Sequence, residues 1–136
     1  MSVGFHVGYS YFEVGSSSFL HCFFSTVSHH LEPDGWGSRY PLLMNNLYQG
    51  QLRWQDAESV IRDALAIRES LMAYPPDQVV WDIEDLTARP PLGDNISPDI
   101  TDLSNYFVTS DGNDLFEVLV SALAESVQEQ ADLLIE

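Results

Sequence analysis

The sequence contains no lysine, and its five basic residues, all arginines, stand against 21 acidic residues. The formal net charge at pH 7 is therefore −16. A surface field of this sign repels nucleic acids and anionic membranes and attracts cationic proteins. Five dispersed arginines form no basic patch, and contacts to phosphates need basic charge. The composition thus argues against nucleic-acid and membrane partners and favours a cationic protein partner.

Cysteine is represented by Cys22 alone, so the chain cannot form an internal disulfide. That is compatible with a reducing compartment. The first residues lack the basic region and apolar run of a signal peptide. No apolar stretch approaches the roughly 18 residues that span a bilayer. We therefore expect a cytoplasmic protein.

What the sequence does have is enough apolar material for a core: 45% of its 136 residues are hydrophobic. This length and composition predict a single domain over residues 1–136, with a tail over residues 128–136 that is free to fray. Apolar periodicity and Gly, Pro and Ser signals predict seven segments. They are a strand region Val3–Val14 (one bent strand or a hairpin at Gly8), a helix from Ser16–Ser18 to about Leu31, a short helix from Pro41 to about Tyr48, a helix from Gln55 to Tyr74, strands Gln78–Asp85 and Asn105–Thr109, and a helix from Leu115 past Val127. A turn at Ser110–Asn113 is predicted before the last helix.

This order of elements is typical of the α+β class. We expect a small, mainly antiparallel sheet of three to four strands packed with three to four helices. Thr87 to Asp102 is rich in proline and lacks periodicity, so it is predicted to be a long loop, which in a compact domain is often functional. The edges of a small sheet also leave a homo-oligomer open.

The clearest candidate for chemistry is the run Asp82-Ile83-Glu84-Asp85. Alternate residues of a strand point the same way, so Asp82 and Glu84 could converge on a divalent metal, as in a metal-dependent hydrolase. An acidic solvent face of a sheet explains the same residues without chemistry. The histidines lack zinc-ligand spacing, and helix capping accounts for Ser16–Ser18. The sequence thus predicts no catalytic residues, no metal site and no cofactor, with the hydrolase as an alternative.

Interaction is the remaining role for the polar surface. Further acids, including Asp94, Asp99 and Asp102, lie in the proline-rich loop, and Trp36 and Tyr106 are aromatic residues of the kind that anchor protein interfaces. From charge and patterning we predict a binding surface made of Asp82, Glu84, Asp85, Asp94, Asp99, Asp102, Trp36 and Tyr106.

Several segments in order resemble one protein family. They are Val14–His21 with Phe23–Thr26, Trp36–Pro41, Val80–Leu86 with Pro90-Pro91, and Asn105–Gly112. Together they resemble the immunity protein 70 family of bacterial polymorphic toxin and contact-dependent growth inhibition systems. The resemblance extends from Val3 to about Leu123, and no single segment is a mechanistic signature.

The resemblance implies a protein encoded beside a toxin that binds the toxin's C-terminal domain in the cytoplasm and protects the producing cell. It implies no catalytic residues, and it places no binding residues. Joined to the acidity, it predicts a toxin inhibitor that occludes the active or substrate-binding site of a cationic toxin, with a basic nuclease favoured. An acidic adaptor protein is the other alternative.

Overall fold

A computed structural model describes residues 2–91 and 96–136. The elements are β1 Ser2–Val7, β2 Ser10–Ser16, α1 Ser17–Leu31, the π-helix Leu42–Leu47, β3 Gln51–Leu52, α2 Trp54–Leu71, a 3₁₀ turn Pro76–Gln78, α3 Leu115–Glu129 and β4 Leu133–Ile135. Within the described ranges, four strands form one antiparallel sheet in the order β2-β1-β4-β3. Three α-helices and one π-helix of the same ranges accompany the sheet, which confirms the predicted α+β class.

The first two strands form a hairpin, which decides between the two arrangements that the sequence left open. Val7 pairs with Ser10 across the two-residue turn Gly8-Tyr9. Gly8 has φ +57°, and a positive φ at the first turn position suits the right-handed twist of a two-residue hairpin. Ser16 then caps α1, because its hydroxyl accepts a 3.0 Å hydrogen bond from the Phe19 N–H.

The C-terminal tail contributes a strand to the sheet over Leu133–Ile135. This segment is β4, and it lies between β1 and β3. Leu133 pairs with Val7 on one side and Leu52 on the other and is fully buried. Just before it, the Asp132 carboxylate accepts the Trp54 N–H at 3.0 Å and so satisfies one free donor at the start of α2. The end of the chain therefore joins the sheet to a helix.

The strand predicted over Gln78–Asp85 is wrong. Beyond the 3₁₀ turn this segment is irregular, and Val79 and Val80 are both buried, so the expected alternation is absent. Side chains of α1 provide the hydrogen-bond partners that a neighbouring strand would provide in a sheet. The Val80 N–H donates to the Thr26 hydroxyl at 3.0 Å, and the Ile83 N–H donates to the Ser25 hydroxyl at 3.1 Å. Hydrogen bonds from helix side chains satisfy this backbone without a neighbouring strand.

The strand predicted over Asn105–Thr109 is also wrong, because only an isolated bridge joins Val108 to Asp114. The predicted turn at Ser110–Asn113 is confirmed and folds the chain back on itself. Asp114 caps α3 by accepting the Phe116 N–H at 2.9 Å, and it also accepts a 2.7 Å hydrogen bond from the Arg68 guanidinium of α2. This single carboxylate connects the two helices.

The helices predicted from periodicity are present, with shifted ends. The helix α2 stops at Leu71, three residues before the predicted end, because Met72–Tyr74 already form turns ahead of Pro75. Aromatic rings fill the space between α1 and α3, where Phe23 meets Phe107 and Phe116 edge to face, each at 5.3 Å between ring centres. Within the described residues, no helix combines the length and the apolar character needed to cross a bilayer.

Shortening Leu133 to Ala is expected to lower the free energy of unfolding by about 2–5 kcal/mol, because the side chain is fully buried in the core. Leu134→Ala is the matched control, since the neighbouring leucine is only partly buried. Urea unfolding followed by circular dichroism measures both. Equal, small losses in the two variants would mean that the tail is not part of the sheet.

Replacing Thr26 with Val keeps the side-chain shape and removes the hydroxyl. The buried Val80 N–H then has no acceptor, so the free energy of unfolding should fall by about 1–3 kcal/mol. Thr87→Val is the control, because the Thr87 hydroxyl is exposed and binds only the nearby Asp85 carboxylate. Thermal unfolding of both variants provides the comparison, and an undiminished Thr26→Val protein would contradict the role given to that hydroxyl.

Candidate functional site

Two cavities meet at Trp81, beside the first turns of α1. One, about 280 Å³ in volume and here called the polar cavity, is lined by Ser17, Ser18, His21, Tyr48, Trp81 and Asp82. The other, about 340 Å³ and here called the apolar cleft, is lined by Phe19, Cys22, Trp81, Pro90, Pro91, Ile96, Ser97, Ile100, Tyr106 and Val108. Trp81 lines both, so the two cavities adjoin at this side chain.

A chain of three polar side chains crosses the polar cavity. The His21 ring contacts the Asp82 carboxylate through Nε2 at 3.2 Å and the Tyr48 hydroxyl through Nδ1 at 2.9 Å. All three side chains reach solvent, because Tyr48 is 39% exposed and the side chains of His21 and Asp82 are 29% and 37% exposed. These groups are therefore ordered by one another and still accessible to a partner.

Each member of this chain is positioned by a different part of the fold. His21 lies in the second turn of α1, and Tyr48 directly follows the π-helix. Asp82 lies in the irregular segment that the hydroxyls of α1 hold. The Asp82 Oδ1 atom also accepts the Glu84 N–H at 2.9 Å, which closes a turn around the carboxylate. Segments far apart in the sequence thus converge on one imidazole.

Aromatic rings form one wall behind the imidazole. Trp36 lies nearly parallel to the His21 ring, 6.3 Å between ring centres, and meets Tyr48 edge to face at 4.9 Å. The Trp36 indole N–H donates to the Met44 carbonyl at 2.7 Å. This tie holds the indole against the π-helix and fixes its orientation.

The loop that carries Trp36 is organised by one buried carboxylate. Glu32, at the C-terminal end of α1, is 3% exposed. Its oxygens accept hydrogen bonds from the backbone N–H groups of Gly37, Arg39 and Tyr40, each at 3.0 Å. A buried carboxylate needs such partners, and here they are the amides of the loop itself.

The hydrogen bond from the Glu84 N–H, followed by the one from His21, lowers the pKa of Asp82 below its ordinary value. Burial, followed by the negative charges of Glu84 and Asp82, raises the pKa of Tyr48. Both shifts hold these groups in their usual neutral-pH forms, a carboxylate and a protonated phenol. The polar cavity therefore combines a fixed negative charge with a neutral hydroxyl.

Three of the eight predicted binding residues come together around these two cavities. Asp82 lines the polar cavity, Trp36 packs behind it, and Tyr106 lines the apolar cleft. Glu84 and Asp85 are exposed in the turns that follow Asp82.

The other predicted acids lie on or beside the proline-rich loop. Asp99 is exposed next to Ile100, a residue of the apolar cleft. The Asp102 carboxylate stabilises its own turn, because it accepts hydrogen bonds from the Ser104 hydroxyl and the Ser104 N–H. These hydrogen bonds lower the pKa of Asp102. Asp94 falls outside the described residues.

Sequence reasoning missed His21, Tyr48 and Trp81. Their spacing along the chain carries no signal, since Tyr48 lies 27 residues after His21 and Trp81 lies 33 residues after Tyr48, on unrelated elements. Trp81 is the one residue that the sequence could have suggested, as the neighbour of Asp82. The segment that contains Asp82 and Glu84 is not a strand, so the alternation on which the hypothesis of a shared metal ion rested is absent. Residues 2–91 and 96–136 contain no group of three or more His, Cys, Asp or Glu side chains able to hold a metal.

Comparison with known proteins gives one family match. The model of a family described as Immunity protein 70 matches residues 5–135, nearly the full length of the chain. No curated protein and no solved structure matches the sequence or the fold.

Replacing His21 with Phe should raise the pKa of Asp82 toward its ordinary value, because the imidazole no longer donates to the carboxylate. The rise should be partial, since the larger contribution, from the Glu84 N–H, remains. Tyr48→Phe is the control, as it leaves the contact between His21 and Asp82 in place. Carboxyl ¹³C NMR titration reads the pKa directly. An Asp82 pKa that is unchanged by His21→Phe would contradict the polar chain.

Proposed function

The chain belongs to the immunity protein 70 family, and it is therefore an immunity protein against a toxin; on that premise we propose that it binds the toxin through the face around Trp81. In this proposal the bound protein is a stoichiometric inhibitor rather than an enzyme. It covers the active or substrate-binding site of the toxin domain, in the cytoplasm of the producing cell. The observation that carries the choice of face is the junction of an apolar cleft and an acidic polar cavity at one partly exposed indole.

The apolar part of this face suits a protein interface. Interfaces are anchored by aromatic side chains that lose water on binding, with polar groups around them. Trp81 and Tyr106 are partly buried and line the apolar cleft, and Val108 beside them is 43% exposed. An apolar side chain of the toxin entering this cleft would remove these groups from water, which stabilises the complex.

The acidic part of the face suits a cationic toxin. Asp82, Glu84, Asp85 and Asp99 are at least partly exposed around the two cavities, and the whole chain carries a formal charge of −16. Opposite charges raise association rates between proteins, and the effect weakens with salt. A nuclease that binds a polyanionic substrate presents such a cationic groove. We therefore propose a basic nuclease domain as the partner.

The proposal is tested with the toxin domain encoded beside the gene for this protein. Co-expression should protect cells, and the purified pair should form a complex that dissociates more readily as salt rises. Failure to protect and to bind would refute the inhibitor role.

A matched pair of charge variants tests the face itself. The first variant carries Asp82→Asn, Glu84→Gln, Asp85→Asn and Asp99→Asn. The second carries the control changes Glu58→Gln, Glu69→Gln, Glu117→Gln and Glu129→Gln, which neutralise four exposed acids of α2 and α3. Both lose the same charge. Stopped-flow measurement should show an association rate about tenfold lower for the first variant than for the second at low salt. Equal rates would reject this face as the acidic binding surface.

A further inference from the structure

We propose that the polar cavity is a receptor for the guanidinium group of one arginine side chain of the toxin. This inference rests on the proposed function and names the chemistry of one contact within it. It follows from the direction of the hydrogen bonds among Asp82, His21 and Tyr48, and from the rings and charges around them.

The carboxylate of Asp82 fixes the direction of the first hydrogen bond. An ionised carboxylate only accepts hydrogen bonds, so His21 Nε2 must carry the proton of the 3.2 Å contact. In the neutral imidazole the other nitrogen, Nδ1, is then an acceptor. The Tyr48 hydroxyl therefore donates the 2.9 Å hydrogen bond to Nδ1. With a neutral imidazole, these two contacts orient both polar hydrogens.

The groups left for a ligand are all acceptors. Both contacts to Asp82 use Oδ1, and within residues 2–91 and 96–136 its Oδ2 atom has no hydrogen-bond donor. The Tyr48 hydroxyl uses its hydrogen in the bond to His21, so its oxygen lone pairs remain free to accept a hydrogen bond from a ligand. A ligand that satisfies both oxygens must supply at least two N–H or O–H groups.

The charges around the cavity favour a cation. Asp82 and Glu84 together carry two negative charges, and both act on the Tyr48 hydroxyl. The N-terminal end of α1 opposes them through Ser17 and Ser18, but a helix end amounts to only about half a positive charge. Three of the five arginines lie against groups outside the cavity: Arg62 against Glu58, Arg68 against Asp114 and Arg39 over the Tyr40 ring. The cavity is therefore net negative.

Guanidinium fits this arrangement better than ammonium. Its planar set of N–H groups donates to two oxygens at once, and it stacks on aromatic rings because it is weakly hydrated. The polar cavity offers the two oxygens together with the rings of Trp81 and Tyr48. A lysine ammonium is a compact, strongly hydrated charge and gains less from aromatic walls.

The test uses three capped tripeptides, acetyl-Gly-Xaa-Gly-amide, in which Xaa is arginine, its neutral isostere citrulline, or lysine. Each is titrated into the ¹⁵N-labelled full chain near pH 8, where imidazole is neutral. The arginine peptide should give saturable shifts of the Trp81 indole and His21 ring signals, and lysine should bind at least about threefold more weakly. Shifts of equal size with citrulline, or equal affinity for lysine, would overturn the assignment.

Two variants locate the binding. Asp82→Asn and Tyr48→Phe should each weaken the arginine peptide at least about fivefold, whereas Glu129→Gln on α3 should leave its affinity unchanged. Unfolding midpoints within a few degrees of the parent show that the variants fold. If arginine fails to bind while the toxin association rate still depends on the four acids of the charge variant, this inference fails and the proposed function stands. Loss of that dependence refutes the binding face directly.

Discussion

Buried polar side chains of α1 and its C-terminal end hold two segments of this protein that have no regular secondary structure. The hydroxyls of Ser25 and Thr26 accept hydrogen bonds from the backbone N–H groups of Ile83 and Val80, respectively. The Glu32 carboxylate accepts hydrogen bonds from three backbone N–H groups of the loop that carries Trp36, those of Gly37, Arg39 and Tyr40. A buried backbone group without a partner costs free energy comparable to a lost hydrogen bond. The helix therefore does for these segments what a neighbouring strand does in a sheet, and it determines where Trp36, Trp81 and Asp82 lie.

The proposed binding face follows from this constraint. Because α1 contributes His21 from its second turn and fixes Asp82 and Trp36 on either side, a polar chain and an aromatic wall are built around one imidazole. The same turns of the helix form the floor of the apolar cleft through Phe19 and Cys22. A rigid helix thus presents an ordered set of anchors, which lowers the entropy lost when a partner binds. An inhibitor that must occlude a toxin benefits from such preorganisation.

Local patterns predicted the elements whose stability is local. The serines before α1, the apolar stripes of the three α-helices and the Ser110–Asn113 turn are visible in the sequence because their hydrogen bonds lie within a few residues. The Gln78–Asp85 segment misled the same reasoning. Its alternating residues imitate a strand, while its backbone partners, Ser25 and Thr26, lie 54 to 58 residues away. The strand in the tail was not predicted for a related reason. Leu133 pairs with Val7 and Leu52, which are distant in the sequence, and the tail sequence alone does not reveal these partners. Charge and aromatic content predicted Asp82, Trp36 and Tyr106 as binding residues, but only the fold brings His21 and Tyr48 to Asp82 and Trp36.

The central claim is that the toxin covers the face around Trp81. Hydrogen–deuterium exchange of the protein, alone and bound to its toxin domain, tests that claim most directly. We expect the complex to slow amide exchange in the segment from Trp81 to Asp85 and in the loop that carries Trp36, while the exposed side of α2 is unchanged. Protection confined to α2 or to the β2 edge of the sheet, with the Trp81 segment exchanging as fast as in the free protein, would contradict the account.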